Sequence, residues 1–217
     1  MIRILSAWIL LLGLLSSASA WAAQPTLTRA QALKAITQAA PIARRAGVER
    51  LGDVGTMADA DRLVERLSDT DAEVRDLAAT AMWKIWGRAN DRAIDALYEK
   101  GIAQMSQQNL TEALATFSQI IERKPAFAEG WNKRATIRYL MGDYEQSLKD
   151  CDEVIKRNPN HFGALSGYAQ IYVQLGDFEH AIEYFERALE VNPNLAAAAM
   201  AIEFLKPQLE ERRRKAI

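Results

Sequence analysis

The side chains that most often carry catalysis are few in this chain, and their spacing fits no common active site. Only two histidines occur, His161 and His180, and they stand too far apart for a familiar metal-ligand motif. His161 follows an Asn-Pro-Asn turn, where a histidine more often caps a helix than binds a ligand. No glycine-rich phosphate loop and no Gly-x-Ser-x-Gly elbow occurs. These patterns predict a protein that is not an enzyme and that uses neither a metal ion nor a cofactor.

The chain contains a repeat of 34 residues. The structural units that this repeat encodes must position any functional site. The segments 94–127, 128–161 and 162–195 align without a gap, and equivalent positions carry similar residue types. Small residues recur at the eighth and twentieth positions and proline at the thirty-second: Gly101, Ala135 and Ala169; Ala113, Ser147 and Ala181; Pro125, Pro159 and Pro193. Such self-similarity is typical of a solenoid, in which each unit buries its apolar side against the next unit.

Each unit has the pattern of two amphipathic helices joined by a tight turn. In the second unit, apolar residues recur at helical spacing from 129 to 141 and again from 144 to 157. Gly142 separates the two runs and can adopt the positive φ angle of a tight reversal. Pro159 ends the second run because proline has no amide proton. The first unit has Gln108-Asn109 at this turn, where asparagine is the more tolerant residue. The sequence therefore predicts an all-α, right-handed α-solenoid.

This pattern of large, small and proline positions resembles the tetratricopeptide repeat (TPR). The resemblance implies a domain over residues 93–217, with three helix pairs and a capping helix at 196–217, that binds a protein or peptide partner. Chaperone-binding members of the family hold a terminal carboxylate with two lysines, two asparagines and one arginine. The matching positions here are Tyr98, Ile102, Lys133, Gly163 and Gly167. The resemblance thus implies no such clamp and argues against an acidic chaperone tail as the ligand.

In paired-helix solenoids the first helix of each unit lines the concave face. We predict a peptide-binding groove formed by Asp95, Tyr98, Ile102 and Met105 in the first unit, by Glu129, Asn132, Lys133 and Thr136 in the second, and by Ser166, Gln170 and Gln174 in the third. Amide side chains can bond a peptide backbone, and tyrosine offers contact area at low entropy cost. Alternatively, some positions on this face contact the capping helix or a neighbouring unit, above all Tyr139, Leu140 and Val173.

Residues 1–22 have the organisation of a signal peptide. Arg3 gives a short positive region, residues 4–15 are almost wholly apolar, and small residues follow. We expect cleavage near Ala20 or Ala22 and hence a secreted or periplasmic protein. Segments 129–136 and 158–165 also resemble a group of secreted bacterial proteins of this repeat class. The alternative is an uncleaved anchor, but the apolar core is shorter than the ~20 residues that a membrane-spanning helix needs. We expect no stable membrane span after cleavage.

Residues 23–92 are predicted to form a separate helical segment before the repeats. Residues 69–75, followed by the alanine-rich stretch 78–81, resemble a HEAT repeat. A fainter copy lies earlier in the chain, with Arg44, Leu51 and Val54 at equivalent positions. The resemblance implies helix pairs that lead into the repeat array; a helical segment of another kind is the alternative. We expect Trp83 and Trp86 to seal the junction with the first repeat unit.

The charge balance and the single cysteine exclude further classes of function. The chain has 27 basic and 28 acidic residues, so it has no overall field that attracts nucleic acid. The basic ending 212–215 suits the negative end of a helix dipole, and we favour this over a nucleic-acid or phospholipid site. Cys151 is the only cysteine, which excludes an internal disulfide. Its position in the repeat matches Phe117 and Phe185, so we expect a buried packing role.

Together these features predict a non-catalytic scaffold or adaptor that binds a peptide or protein segment outside the cytoplasm. One alternative is a homo-oligomeric structural element whose terminal helices associate. An enzyme of unrecognised type is a second alternative, and the residues give it the least support.

Overall fold

Eleven α-helices follow one another along residues 26–215, the part of the chain that this computed structural model describes. Four precede the repeats: α1 (Arg29–Ala35), α2 (Pro41–Val54), α3 (Ala60–Arg66) and α4 (Ala72–Trp86), with a 3₁₀ turn at Met57–Asp59. Seven follow: α5 (Arg92–Ser106), α6 (Leu110–Arg123), α7 (Ala128–Leu140), α8 (Tyr144–Arg157), α9 (Phe162–Leu175), α10 (Phe178–Val191) and α11 (Ala196–Lys215). The described range contains no strand, and the predicted all-α solenoid is confirmed.

The predicted signal peptide at residues 1–22 lies outside the described residues. Within the described range, 26–215, no helix combines the length and the apolar character that a bilayer crossing requires.

The helices α5 to α10 form the three pairs that the 34-residue period predicts, and α11 packs on α10. The small residues of the repeat lie where the two helices of a pair cross. A Cβ atom on Gly101 would sit 2.6 Å from Cζ of Phe117. In the next pair, the Ser147 hydroxyl donates a hydrogen bond to the Ala135 carbonyl at 2.8 Å. Larger side chains would overpack these crossings, at a typical cost of about 1–3 kcal/mol.

The turn inside each pair uses one residue with a positive φ angle. Gly142 and Gly176 have φ angles of 79° and 73°, as expected for glycine. In the first pair the equivalent residue is Gln108, with a φ angle of 61°. Asn109, the residue expected to provide this conformation, instead precedes α6 with a φ angle of −79°. The sequence expectation is therefore wrong by one position in this turn.

The N-terminal helices form two pairs with a core of their own. Helix α1 packs on α2, α3 packs on α4, and α2 lies beside α4. Their fully buried apolar side chains include Val48, Leu51, Leu63, Leu67, Val74, Ala78 and Met82. The Arg44 guanidinium donates two hydrogen bonds to the Asp69 carboxylate, at 2.8 and 2.7 Å, and so joins α2 to the turn before α4. This paired layout is the one that a HEAT-like segment would have, and the family resemblance itself stays a prediction.

Both tryptophans of α4 contact the start of the third repeat unit. The ring of Trp86 stacks on that of His161, with 4.2 Å between the ring centroids. Trp83 stands edge-on to Phe162 at 5.5 Å. The prediction that these tryptophans seal the junction with the first unit is therefore wrong about the partner.

Polar contacts extend this interface beyond the tryptophans. The Asn194 amide nitrogen donates to the Leu67 carbonyl at 2.7 Å, and Arg75 Nε donates to the Asn194 side-chain oxygen at 2.9 Å. The Asn160 amide donates to Asp61 at 3.2 Å. The N-terminal helices therefore rest on the loops that precede α9 and α11.

Helix α11 covers the apolar end of the third pair with Ala198, Ile202 and Leu205. It continues through Pro207 as one helix. Cys151 is buried, as predicted, and burial raises the pKa of its thiol to about 12. This thiol serves packing.

Candidate functional site

The concave face of the repeats has two parts with different surroundings. The first part, called the groove head below, lies at the starts of α7 and α9 and comprises Tyr98, Glu129, Asn132, Lys133 and His161. The second part, called the open groove below, lies between the end of α7, α9 and α11. Its lining includes Tyr139, Ser166, Gln170, Val173, Gln174, Asn194, Leu195, Ala197, Ala201 and Phe204.

Glu129 is the centre of the groove head and is only 1% exposed. Its carboxylate lies 2.9 Å from His161 Nε2 and 2.9 Å from Lys133 Nζ. It also accepts a hydrogen bond from the Asn132 amide at 3.1 Å, and the Tyr98 hydroxyl lies 3.4 Å away. A buried carboxylate is costly without partners, and these donors provide them.

Both ring nitrogens of His161 are engaged, and the ring is 0% exposed. Nδ1 accepts a hydrogen bond from the Ala164 amide at 3.0 Å, so the proton is on Nε2, which donates to Glu129. His161 thereby N-caps α9, as the sequence predicts. Among residues 26–215, no group of three His, Cys, Asp or Glu side chains is arranged to hold a metal ion. The groove head is thus a hydrogen-bonded network that fixes the start of α9.

Helix α4 lies over the groove head. The Lys133 ammonium is 5.6 Å from the centre of the Trp83 ring. A Cβ atom on Gly163 would lie only 2.4 Å from Cη2 of Trp83, so the tip of the Trp83 ring rests against the α9 backbone where only a glycine leaves room. This end of the concave face is therefore occupied by the chain itself.

The repeat pattern places Glu129 and Asn132 at exposed positions, whereas the structure buries both. The reason is that Glu129 turns inward to His161 and holds the Asn132 amide beside it. The sequence carries only part of the signal for this arrangement, namely an aromatic face on α4, and not the place where that face packs. Trp83 and Trp86 are spaced i, i+3 and share one face of α4, as two aromatic residues that dock together would.

The predicted residues of the first unit serve internal contacts. Tyr98, Ile102 and Met105 pack against the apolar core of the first helix pair. The Asp95 carboxylate accepts a hydrogen bond from the Ala89 amide at 2.7 Å and fixes the loop before α5. None of these four predicted residues lines the open groove.

The open groove has a volume of about 630 Å³. Three predicted residues line it, namely Ser166, Gln170 and Gln174, together with Tyr139 and Val173. None of the side chains that line it carries a formal charge. The groove can therefore hold an apolar or amide-bearing segment, but it offers no acid–base pair for catalysis.

One wall of the open groove comes from the predicted capping helix, none of whose residues is among those predicted to line the groove. Ala197, Ala201 and Phe204 of α11 line the groove, and Phe204 is 71% exposed. Their i, i+4, i+7 spacing places them on one helix face, and that spacing is the signal that could have identified them.

Thr136 lies between the two parts of the concave face, beside a smaller cavity of about 60 Å³. Asn132 and Gly163 line this cavity on the side of the groove head, and Tyr139 and Gln170 line it on the side of the open groove. The concave face is therefore continuous from one part to the other.

The surroundings of Glu129 predict that stability falls in acid. Burial by itself raises the pKa of this carboxyl, but the hydrogen bond from His161 and the charge of Lys133 outweigh burial and lower the pKa from 4.5 to about 2. A carboxyl whose pKa is lower in the folded state stabilises the fold fully above its unfolded pKa, and loses that contribution as the pH falls through the folded value. We expect the free energy of unfolding to decrease from about pH 4.5 towards pH 2.

Urea titrations at several pH values test this expectation. The Glu129→Gln variant should show a shallower decrease than the natural protein over that range, because its amide does not titrate. Equal slopes in the two proteins would contradict the assigned role of the carboxylate.

Sequence comparison matches two adjoining stretches of the chain to the tetratricopeptide repeat family, residues 95–126 and residues 126–194. A TPR repeat-containing protein of Rhizobium etli is 30% identical over 67 residues, which are 31% of this chain and 33% of that protein. The match thus spans about a third of that relative's length.

Solved TPR structures share the fold. The Sgt2 TPR domain from Aspergillus fumigatus has a TM-score of 0.53 and 24% identity, covering 58% of this chain and 84% of that domain. The first TPR of Spaghetti (RPAP3), bound to the HSP90 peptide SRMEEVD, has a TM-score of 0.52 and 22% identity; the match covers 54% of this chain and 93% of that chain. MamA has a TM-score of 0.52 and 16% identity; the match covers 73% of this chain and 87% of that chain. At these identities the likeness is one of fold.

The 34-residue period, the helix pairs and the sequence matches agree with one another. Residues 95–194 therefore match the tetratricopeptide repeat family and fold as an array of its helix pairs.

Proposed function

We propose that this protein is a non-catalytic scaffold that binds a peptide or protein segment in its open groove and works outside the cytoplasm. The observation that carries the proposal is the groove itself: about 630 Å³, uncharged, and bordered by Phe204, an aromatic side chain that is 71% exposed. Exposed apolar surface in a concave site is typical of a binding site rather than of a free surface.

The fold supports the same proposal. TPR domains are generally interaction scaffolds without catalytic activity. Two proteins of similar fold have solved complexes, one with an HSP90 peptide and one, the TPR2B domain of yeast Sti1, with an Hsp70-derived partner. The site proposed here differs in position from the predicted one, since it uses the end of α7, the third unit and α11 rather than the first helices of all three units.

The proposed location rests on residues 1–22, whose apolar core and small residues fit a cleaved leader. The mass of the protein isolated from a periplasmic or culture fraction tests it. A mature chain that begins near residue 21 or 23 supports the proposal, and an intact chain that stays in the cytoplasmic fraction contradicts it.

Capture of partners from extracytoplasmic extract tests the binding site. Gln170→Arg places a charge in the uncharged groove and should reduce the captured partner by about tenfold or more. Gln119→Arg, at an exposed position on α6, is the matched control and should capture as much as the natural protein. Circular dichroism should show equal helix content in all three proteins. Equal capture by both variants would place the binding site elsewhere.

One observation favours self-association as a second candidate function. Met200 of α11 is 72% exposed and lies near Leu189 and Ile202 in a shallow hollow that Glu186, Glu203 and Lys206 also line. If two copies associate through this surface, Met200→Lys should convert a larger species to a monomer in light scattering. A natural protein that is already monomeric would remove this candidate.

A further inference from the structure

Two aromatic side chains of α4 already lie on the concave face, and they indicate what the face binds. Helix α4 presents Trp83 and Trp86 from one side, and their rings lie against His161 and Phe162 at the start of α9. The polar groups beneath them are hydrogen-bonded to one another within the groove head, so the contact that α4 makes there is mainly aromatic and apolar.

The surface used by α4 continues into the open groove. Gly163, which contacts Trp83, also lines the 60 Å³ cavity that Tyr139 and Gln170 share with the open groove. Gly167 lies between Gly163 and Gln170 on α9 and lines the same small cavity. An added Cβ atom on Gly167 would meet nothing within 4 Å. The third unit therefore leaves space beside its backbone, next to the place where the tryptophan rings of α4 lie on the start of α9.

The lack of charged side chains in the lining of the open groove limits which ligands can bind there. The lining of the open groove has no cation and no anion, and Lys133 in the groove head is paired with Glu129. A charged side chain that entered the groove would lose its hydration without gaining a partner of opposite charge. An acidic peptide such as SRMEEVD would find no cation in this lining.

We infer that the open groove binds an uncharged face of a partner α-helix that carries aromatic residues spaced i, i+3 or i, i+4, and that this helix continues the row begun by α4. The partner's aromatic rings lie between Tyr139 and Phe204, the amides of Gln170 and Gln174 meet its polar groups, and its backbone passes Gly167. This is helix-in-groove recognition. The inference rests on the proposed function and specifies the chemistry of its ligand.

Fluorescence anisotropy with the full chain tests the inference. The probe is a labelled alanine- and glutamine-based helical peptide of about 15 residues with two tryptophans at i and i+3. We expect a Kd in about the micromolar range. The Kd should change by less than about twofold between about 50 mM and 500 mM NaCl, because no charge pair forms. Replacing both tryptophans of the probe with alanine should weaken binding by about tenfold or more.

Two variants of the protein locate the site. Gly167→Leu fills the free space beside α9, in the small cavity that adjoins the open groove, where the partner's backbone would pass. It should abolish binding of the probe, whereas helix content and thermal stability are maintained, since leucine favours a helix more than glycine does. Gly167→Ala, the matched control, should bind the probe within about threefold of the natural protein, because a methyl group fits the space. Binding that Gly167→Leu leaves unchanged would overturn the inference.

The outcomes also separate this inference from the proposed function. If SRMEEVD binds as tightly as the tryptophan probe, or if probe binding weakens steeply with salt, the inference is overturned. If the probe fails to bind but Gln170→Arg still abolishes capture of a natural partner, the groove function stands and the aromatic-helix inference falls. If Gln170→Arg changes neither binding of the probe nor capture of any natural partner, the proposed groove function and the aromatic-helix inference are both overturned.

Discussion

Trp86→Ala is expected to lower the free energy of unfolding by about 3–5 kcal/mol, the usual range for loss of a buried tryptophan. The side chain is 3% exposed and stacks on His161, which itself caps α9. Alanine would leave a cavity between the N-terminal helices and the third repeat unit. Urea denaturation followed by circular dichroism measures the loss.

Trp86→Phe is the control for this prediction. Among residues 26–215 the indole N–H of Trp86 has no hydrogen-bond partner, so phenylalanine removes no hydrogen bond there and keeps an aromatic ring against His161. We expect a loss well below that of the alanine variant. A loss below about 1 kcal/mol for Trp86→Ala itself would mean that α4 contributes little to holding the repeats.

Glu129→Ala is expected to lower the free energy of unfolding by about 3 kcal/mol, because the donors around the carboxylate remain buried without an acceptor. His161 is affected most, since its Nε2 proton has no other acceptor and its ring cannot reach water. The same urea denaturation measures the effect.

Two comparisons separate this effect from a general cost of losing a glutamate. Glu129→Gln keeps a carbonyl oxygen for His161 and should lose less stability than Glu129→Ala. Glu145→Ala removes a glutamate whose ion pair with Lys149 is exposed, and should leave the free energy of unfolding nearly unchanged. If Glu129→Ala and Glu145→Ala behave alike, the buried network does not stabilise the fold.

The repeats could be predicted because their contacts are local and recur. Gly101 and Ser147 occupy positions where the two helices of a pair cross, and any chain with this period places small residues there. Gly142 and Gly176 carry the positive φ angles of their turns for the same local reason. Gln108 shows the limit of this reasoning, because the backbone fixes the turn geometry and a residue with a Cβ atom adopts it.

The division of the concave face could not be predicted, because it depends on contacts between distant parts of the chain. The covering of Glu129 and Asn132 follows from how α4 docks, and no 34-residue period includes the N-terminal helices. The open groove likewise depends on where α11 places Phe204 relative to Tyr139. Residue spacing identified the faces of single helices, whereas the site depends on how three helices come together.

The contact between α4 and the start of α9 limits which fragments of this chain can be stable on their own. The loop before α5 separates the N-terminal helices from the first repeat along the chain and looks like a natural point of division. A fragment that begins at residue 93 would nevertheless leave the rings of His161 and Phe162 bare to water. We therefore expect the isolated repeats to aggregate, and the whole chain to melt in calorimetry as one cooperative body.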